Sequence, residues 1–162
     1  MSEAEPEVPP EIEDYLIGLY AHAGQIGGAV GSVAAGAIAG PGAAAGGSRG
    51  GARGGARGAA RLKTKIEQRS GDAPGTAEQV TARLTAAFPK ARPLPAGDHV
   101  RLAVPVGVTG LQQIVIDAEL GPSDGASVPV RLRGFGKEGL ISRKPTRAVT
   151  DQAWAAIMSV PS

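Results

Sequence analysis

The sequence predicts an α+β protein, in which an N-terminal Gly/Ala-rich helix or helical hairpin precedes a small α-β-β-β-α two-layer sandwich. Three observations lead to this fold class. A long Gly/Ala stretch continues into a four-residue Arg/Gly repeat, the composition changes near residue 70, and three alternating apolar segments follow between two amphipathic ones. The predicted organisation is a disordered acidic tail over 1–10, a helical segment over 11–69 and an α+β domain over 76–160.

The first predicted helix begins at Glu11, after Pro9 and Pro10, with acidic residues in its first turn. Apolar residues then recur at alternating steps of four and three, the spacing of a heptad seam: Ile12, Leu16, Leu19, Ala23, Ile26, Val30, Val33 and Ala37. The predicted helix-packing residues are glycines beside this seam: Gly24, Gly27, Gly28, Gly31, Gly36 and Gly40. Each interior glycine costs about 1 kcal/mol relative to alanine, so a bilayer or a tightly packed partner helix must compensate.

The second segment carries the repeat Gly-Gly-Ser-Arg, Gly-Gly-Ala-Arg, Gly-Gly-Ala-Arg, Gly-Ala-Ala-Arg over 46–61. Residues 43–69 are either a helix that returns along the first, after the break at Gly40-Pro41-Gly42, or a flexible linker. In the hairpin, one row of glycines packs on the first helix: Gly46, Gly50, Gly54 and Gly58. The predicted site for anionic lipid or another polyanion is a row of cations: Arg49, Arg53, Arg57, Arg61, Lys63 and Lys65.

In the α+β domain, Thr76 and Gln79 form a capping-box pattern that opens a helix closed by Pro89. Three strands are predicted from alternating apolar positions, and the apolar sets face the core: Val100, Leu102, Val104 and Val106; Ile114, Ile116, Ala118 and Leu120; Val128, Val130 and Leu132. Glycines after the third set predict a tight turn there. A short fourth strand at Leu140-Ile141 and a terminal helix over 149–160, with Thr150 as its N-cap, complete the sandwich.

The opposite faces of the three strands carry charge. If the apolar sets point inward, the outer face of the sheet holds Arg101, Asp117, Glu119, Arg131 and Arg133. Mixed signs on neighbouring strands are typical of cross-strand ion pairs. We expect a solvated charged face, with a carboxylate- or phosphate-recognition surface as the alternative.

The residue types argue against an enzyme. The chain has no cysteine, its two histidines lie far apart in sequence, and it contains no nucleophile elbow, phosphate loop or metal-ligand spacing. We therefore predict no catalytic residue, no cofactor and no metal site. The acidic, Pro-rich N-terminus also lacks the basic start of a secretory signal peptide, which predicts that the chain is not exported by that route.

Through its spaced glycines, the segment over 15–60 resembles the glycine-zipper segments of small bacterial membrane-associated proteins. The resemblance implies helix–helix association, and the hypothesis it supports is a non-enzymatic membrane-associated or self-assembling protein with a partner-binding α+β domain. The cationic repeat would place that domain in the cytoplasm, beside an anionic membrane surface. The alternative is a soluble, cytoplasmic module that binds nucleic acid or another polyanion through the Arg/Gly repeat. Self-association is the favoured partner interaction, and nucleic acid the less favoured one.

Overall fold

A computed structural model describes residues 7–39, 41–107, 112–123, 125–137 and 144–160, without the side chains of 27–39 and 41–46. The protein is α+β, as predicted. The described residues form four helices, α1 (Pro10–Ala39), α2 (Pro41–Arg61), α3 (Ala77–Ala87) and α4 (Pro145–Met158). They also form five strands, β1 (Thr64–Pro74), β2 (Arg92–Leu94), β3 (Val100–Val106), β4 (Gln112–Leu120) and β5 (Ser127–Lys137). Two compact units result, a helical hairpin over Glu7–Lys63 and an α+β sandwich within Thr64–Ser162.

In the hairpin, α1 begins at Pro10, one residue before the predicted start at Glu11, and Glu11 and Glu13 lie near the positive end of its dipole. Residues 46–61 are helical, so the flexible-linker alternative is wrong. The heptad seam is only partly buried. Ile12 and Leu16 are buried, whereas Ile26 is 45% exposed.

The two helices meet backbone to backbone at glycines. A Cβ atom on Gly24 would fall on the carbonyl oxygen of Gly51, and one on Gly55 would fall on the carbonyl oxygen of Tyr20. The predicted packing row was wrong by one position, because Gly50, Gly54 and Gly58 are exposed with no atom within 4 Å of a Cβ built on them. The repeat contains two parallel rows of glycine, and the sequence does not distinguish the row at the helix contact. Gly46 lies outside the described side chains.

In the sandwich, all neighbouring strands are antiparallel and their order is β1-β5-β4-β3-β2. Helices α3 and α4 contribute to the core with Val80, Leu84, Ala153 and Ile157. The predicted inward sets of β3, β4 and β5 all lie in this core or pack against it. The capping box of Thr76 and Gln79 is also confirmed, with both of its reciprocal hydrogen bonds formed.

Two strands were missed. Residues 64–69 were assigned to the second helix and 70–75 to a turn, but 64–74 form the edge strand β1. This segment has one large apolar residue, Ile66, and no alternation, so its conformation comes from pairing with β5 and not from a local pattern. The short strand β2 was interpreted as an extended connection. The predicted strand at Leu140-Ile141 lies outside the described residues.

The contact between α4 and β5 also differs from the prediction. Helix α4 begins at Pro145, four residues before the predicted start, with Lys144 as its N-cap. Thr150 is buried inside the helix and its hydroxyl donates to the Thr146 carbonyl at 2.8 Å. Strand β5 continues through Gly134 and Gly136 instead of turning there. A Cβ on either glycine would fall on a threonine hydroxyl of α4, so these glycines permit close helix–sheet packing.

Candidate functional site

The exposed face of α2 carries a regular row of positive charge. Arg49, Arg53, Arg57 and Arg61 are all exposed. With a helical rise of about 1.5 Å per residue, successive arginines are about 6 Å apart along the axis and the row spans about 18 Å. A four-residue spacing advances about 40° per step around a helix of 3.6 residues per turn, so the row winds slowly around α2. We name these four residues the arginine row.

The surface between these arginines is formed by backbone. From 49 to 61, the exposed positions besides the arginines are Gly50, Gly54, Gly58 and Ala60. Open space lies above each of the three glycines. A ligand could therefore approach the helix backbone closely between neighbouring guanidinium groups. This exposed face contains no large apolar side chain.

The charge of the arginine row is not neutralised within the described part of the chain. The ion pairs found there involve Arg69, Arg101, Arg131, Arg133, Arg147 and His99, and none involves the four arginines of α2. Four guanidinium groups thus face solvent together. Arginine suits this arrangement for anion binding, because its planar group presents several donors and stays charged at any physiological pH.

The remaining predicted site residues are distributed differently. Lys63 and Lys65 are both exposed, but Lys63 closes the hairpin unit whereas Lys65 lies on β1 of the sandwich. Gly24 lies at the helix contact with Gly51 and Gly55. The surroundings of Gly27, Gly28, Gly31 and Gly36 fall among the undescribed side chains, and Gly40 lies outside the described residues.

A second cluster of charge lies on the outer face of the sheet. The register places Asp117 of β4 between Arg101 of β3 and Arg133 of β5. Its Oδ1 accepts from Arg101 Nε at 2.9 Å, and its Oδ2 accepts from Arg133 Nη2 at 2.7 Å. His99 Nδ1 lies 3.3 Å from the same Oδ2. We name these four residues the Asp117 cluster.

The prediction of a solvated charged face is wrong for this cluster. Asp117 is fully buried and Arg101 is 7% exposed, whereas the neighbouring pair Glu119 and Arg131 is exposed and 3.9 Å apart. The alternation of β3, β4 and β5 did identify Arg101, Asp117 and Arg133 as sharing a face, but it did not include His99. Their burial could not be recognised, because strand alternation places a side chain on a face without showing what covers it.

The electrostatics of Asp117 make it a structural anion. Burial by itself would raise the pKa of this carboxyl, but hydrogen bonds and charge from Arg101, with hydrogen bonds from Arg133 and His99, hold the pKa below its ordinary value of 3.8. The Arg133 guanidinium also lies 5.6 Å from the centre of the Phe135 ring. Both carboxylate oxygens are occupied, so Asp117 is a poor general base at neutral pH.

The outer face of the sheet also carries a shallow groove of about 290 Å³, lined in part by Ser70, Asp72, Glu119 and Arg131. Among the described residues, no group of three His, Cys, Asp or Glu side chains is arranged to hold a metal ion. Within the same part of the chain, neither long helix combines the length and apolar character needed to cross a membrane.

Known proteins offer little further information. No protein-family model matches the chain, and no curated protein matches it significantly. Two structures of norcoclaurine synthase from Thalictrum flavum are similar at 12% identity. The complex with dopamine and hydroxybenzaldehyde gives a TM-score of 0.27 over 64% of this chain and 92% of that one, and the second structure gives 0.25 over 63% and 91%. Similarity at this level carries no argument about fold or function.

Proposed function

We propose that this protein is a non-enzymatic module that binds nucleic acid through the arginine row of α2. The observation that carries the proposal is the composition of the exposed helix face from 49 to 61, which consists of arginine, glycine and one alanine. Four uncompensated guanidinium groups, spaced regularly along a helix, match a ligand whose negative charges are also regularly repeated along a line.

Besides arginine, which can contact either phosphate or guanine, the exposed positions from 49 to 61 carry no hydrogen-bonding side chain, so we expect the proposed binding to depend little on nucleic-acid sequence. Contacts from arginine to phosphate oxygens fix a protein on nucleic acid but carry no sequence information. Affinity would come from the release of counterions, and it would fall steeply as salt is added. The exposed glycines favour this mode because the phosphate backbone can lie against the helix without displacing side chains.

The hypothesis of a membrane-associated protein remains a prediction with less support. A helix that binds in the membrane interface needs an apolar face that is buried among the lipids. The exposed positions of α2 from 49 to 61 offer only the methyl group of Ala60. An anionic membrane could attract the arginine row by charge alone, so vesicles form one arm of the test.

The proposal is tested by fluorescence anisotropy of a labelled DNA duplex titrated with the full-length chain at several salt concentrations. Four phosphate contacts predict a slope of about −3.6 for log K against log salt concentration. Changing all four arginines to glutamine should abolish this binding. Changing all four to lysine should retain most of it, because the positive charge persists.

A control variant separates the arginine row from net charge. Replacing Lys90, Arg92, Arg131 and Arg147 by glutamine removes the same four charges from exposed positions elsewhere. We expect this variant to bind the duplex nearly as well as the wild type. Equal loss in both quadruple variants, or no wild-type binding at low salt, would contradict the proposal. Binding to phosphatidylserine vesicles with none to DNA would replace it with the membrane hypothesis.

A further inference from the structure

The two edges of the sheet differ in their capacity to accept another strand. Edge strand β2 has three residues, whereas edge strand β1 has eleven. A long edge presents a row of backbone N–H and C=O groups that another strand can pair with, unless a protein blocks it by shortness, proline or charge. The edge at β1 is long enough to pair, and its charged residues restrict which partner and register it accepts, so it is the candidate interaction surface.

The hydrogen-bond pattern shows which residues of β1 face outward. Gly75 N donates to Ala126 O at 2.8 Å, which continues the β1–β5 register one step beyond Pro74 and Ser127. Because bonded and non-bonded positions alternate in antiparallel pairs, odd-numbered residues of β1 bond to β5. Ile66, Gln68 and Ser70 therefore direct their backbone groups to the open edge.

The same alternation explains why the opposite edge is closed. Gly121 N donates to Pro129 O at 2.8 Å, so odd-numbered residues of β4 bond to β5 and even-numbered ones to β3. Even-numbered residues of β3 therefore bond to β4, and odd-numbered ones to β2. Arg92 and Leu94 lie opposite odd-numbered residues of β3, so Pro93 is the residue of β2 that directs its backbone outward. Proline has no N–H to offer a neighbouring strand.

The charges along β1 are self-complementary about Gln68. Glu67 and Arg69 flank this residue on the other face of the strand, with side chains 31% and 28% exposed. When two copies of β1 pair antiparallel with Gln68 opposite Gln68, each Glu67 lies opposite an Arg69 of the other copy. Shifting the pairing by two residues instead opposes Glu67 to Glu67 or Arg69 to Arg69, which is unfavourable.

From this geometry we propose that the chain forms a symmetric dimer by antiparallel pairing of its β1 edges about Gln68. The two-fold axis passes between the Gln68 residues, whose outward backbone groups bond to each other. Arg69 is held at this edge, because its Nη1 donates to the Gln68 carbonyl at 2.7 Å and its Nη2 pairs with Asp151 of α4. The Gln68 oxygen retains a second lone pair for the other copy. This inference does not rest on the proposed nucleic-acid binding.

The pairing of one strand per subunit gives a small interface, so the dimer belongs at the weak end of specific association. A covalent trap suits such a dimer, and the chain has no cysteine of its own to interfere. In the proposed register, the Cα atoms of the two Gln68 residues lie about 5.5 Å apart, within the range that a disulfide spans. The two Ser70 residues lie about 14 Å apart, beyond it.

The first experiment oxidises the full-length variants Gln68→Cys and Ser70→Cys in parallel, without nucleic acid. Gln68→Cys should accumulate as a disulfide-linked dimer on a non-reducing gel, and Ser70→Cys should stay monomeric. Circular dichroism of both reduced variants confirms that each is folded. Equal dimer formation by the two variants, or none by Gln68→Cys, would overturn the proposal.

A second experiment tests the charge pairing without a covalent link. Glu67→Arg places arginine at both positions, and Arg69→Glu places glutamate at both. Because Arg69→Glu also removes the ion pair with Asp151, circular dichroism first confirms that each variant is folded. Each variant alone opposes like charges at both contacts and should dimerise about tenfold more weakly than the wild type. When the two variants are mixed, the arginines of one lie opposite the glutamates of the other at both contacts. Analytical ultracentrifugation of the mixture should therefore detect a heterodimer. If the mixture associates no better than its components, the proposed register is wrong.

Discussion

The hairpin and the sandwich solve the problem of close packing in opposite ways. In the hairpin, α1 and α2 touch through backbone at Gly24, Gly51 and Gly55, where the missing side chains permit the approach. In the sandwich, a core of apolar side chains fills the space between sheet and helices, and Asp117 and Arg101 are buried on the outer face. The hairpin contact requires residues without side chains, whereas the sandwich requires particular side chains to be packed or paired. The two units should therefore be destabilised by different substitutions.

The largest expected effect is in the sandwich. Replacing Asp117 by leucine leaves Arg101 and Arg133 without their shared carboxylate in a buried site. Breaking a buried ion pair from one side costs about 3–5 kcal/mol. We expect a loss of this size in the free energy of unfolding, measured by urea denaturation of the full chain.

The control for this substitution is Glu119→Gln on the same strand and face. Glu119 pairs with Arg131 in solvent, and exposed ion pairs contribute about 0–1 kcal/mol. A cost for Asp117→Leu that is no greater than that for Glu119→Gln would show that burial does not strengthen the cluster.

An intermediate effect is expected in the hairpin, where two adjacent glycines should respond with opposite sign. Gly55→Ala places a Cβ against the Tyr20 carbonyl and should destabilise the hairpin by about 1–3 kcal/mol. Gly54→Ala meets open space and should stabilise it by up to about 1 kcal/mol, because alanine favours helix over glycine. Thermal unfolding followed by helical circular dichroism measures both. Equal effects of the two would refute the observed register of the helices.

The smallest expected effect is the pH dependence of the sandwich. Asp117 has a lower pKa in the folded protein than in the unfolded chain, so its ionised form stabilises the fold above the ordinary value of 3.8. This contribution is lost as pH falls through the lower folded value. In urea denaturation at a series of pH values, wild type should lose more stability below about pH 4 than Asp117→Asn does. Parallel curves for the two proteins would show that Asp117 makes no such contribution.

The elements that the sequence predicted well are those defined by neighbours along the chain. The capping box of Thr76 and Gln79, the apolar alternation of β3, β4 and β5, and the break between the first two helices all depend on residues a few positions apart. The position of the arginine row belongs to the same group, because a four-residue period by itself aligns Arg49 to Arg61 along one side of a helix.

Tertiary structure alone decided the rest. Strand β1 has no apolar alternation of its own and forms because β5 offers it a partner across more than fifty intervening residues. The repeat contains two neighbouring rows of glycine, and only helix packing selects Gly51 and Gly55 over Gly50 and Gly54. Asp117 lies on the predicted face, yet its burial depends on distant parts of the fold. Periodicity fixes the direction of a side chain, whereas the atoms that it meets are set by contacts between residues far apart in the chain.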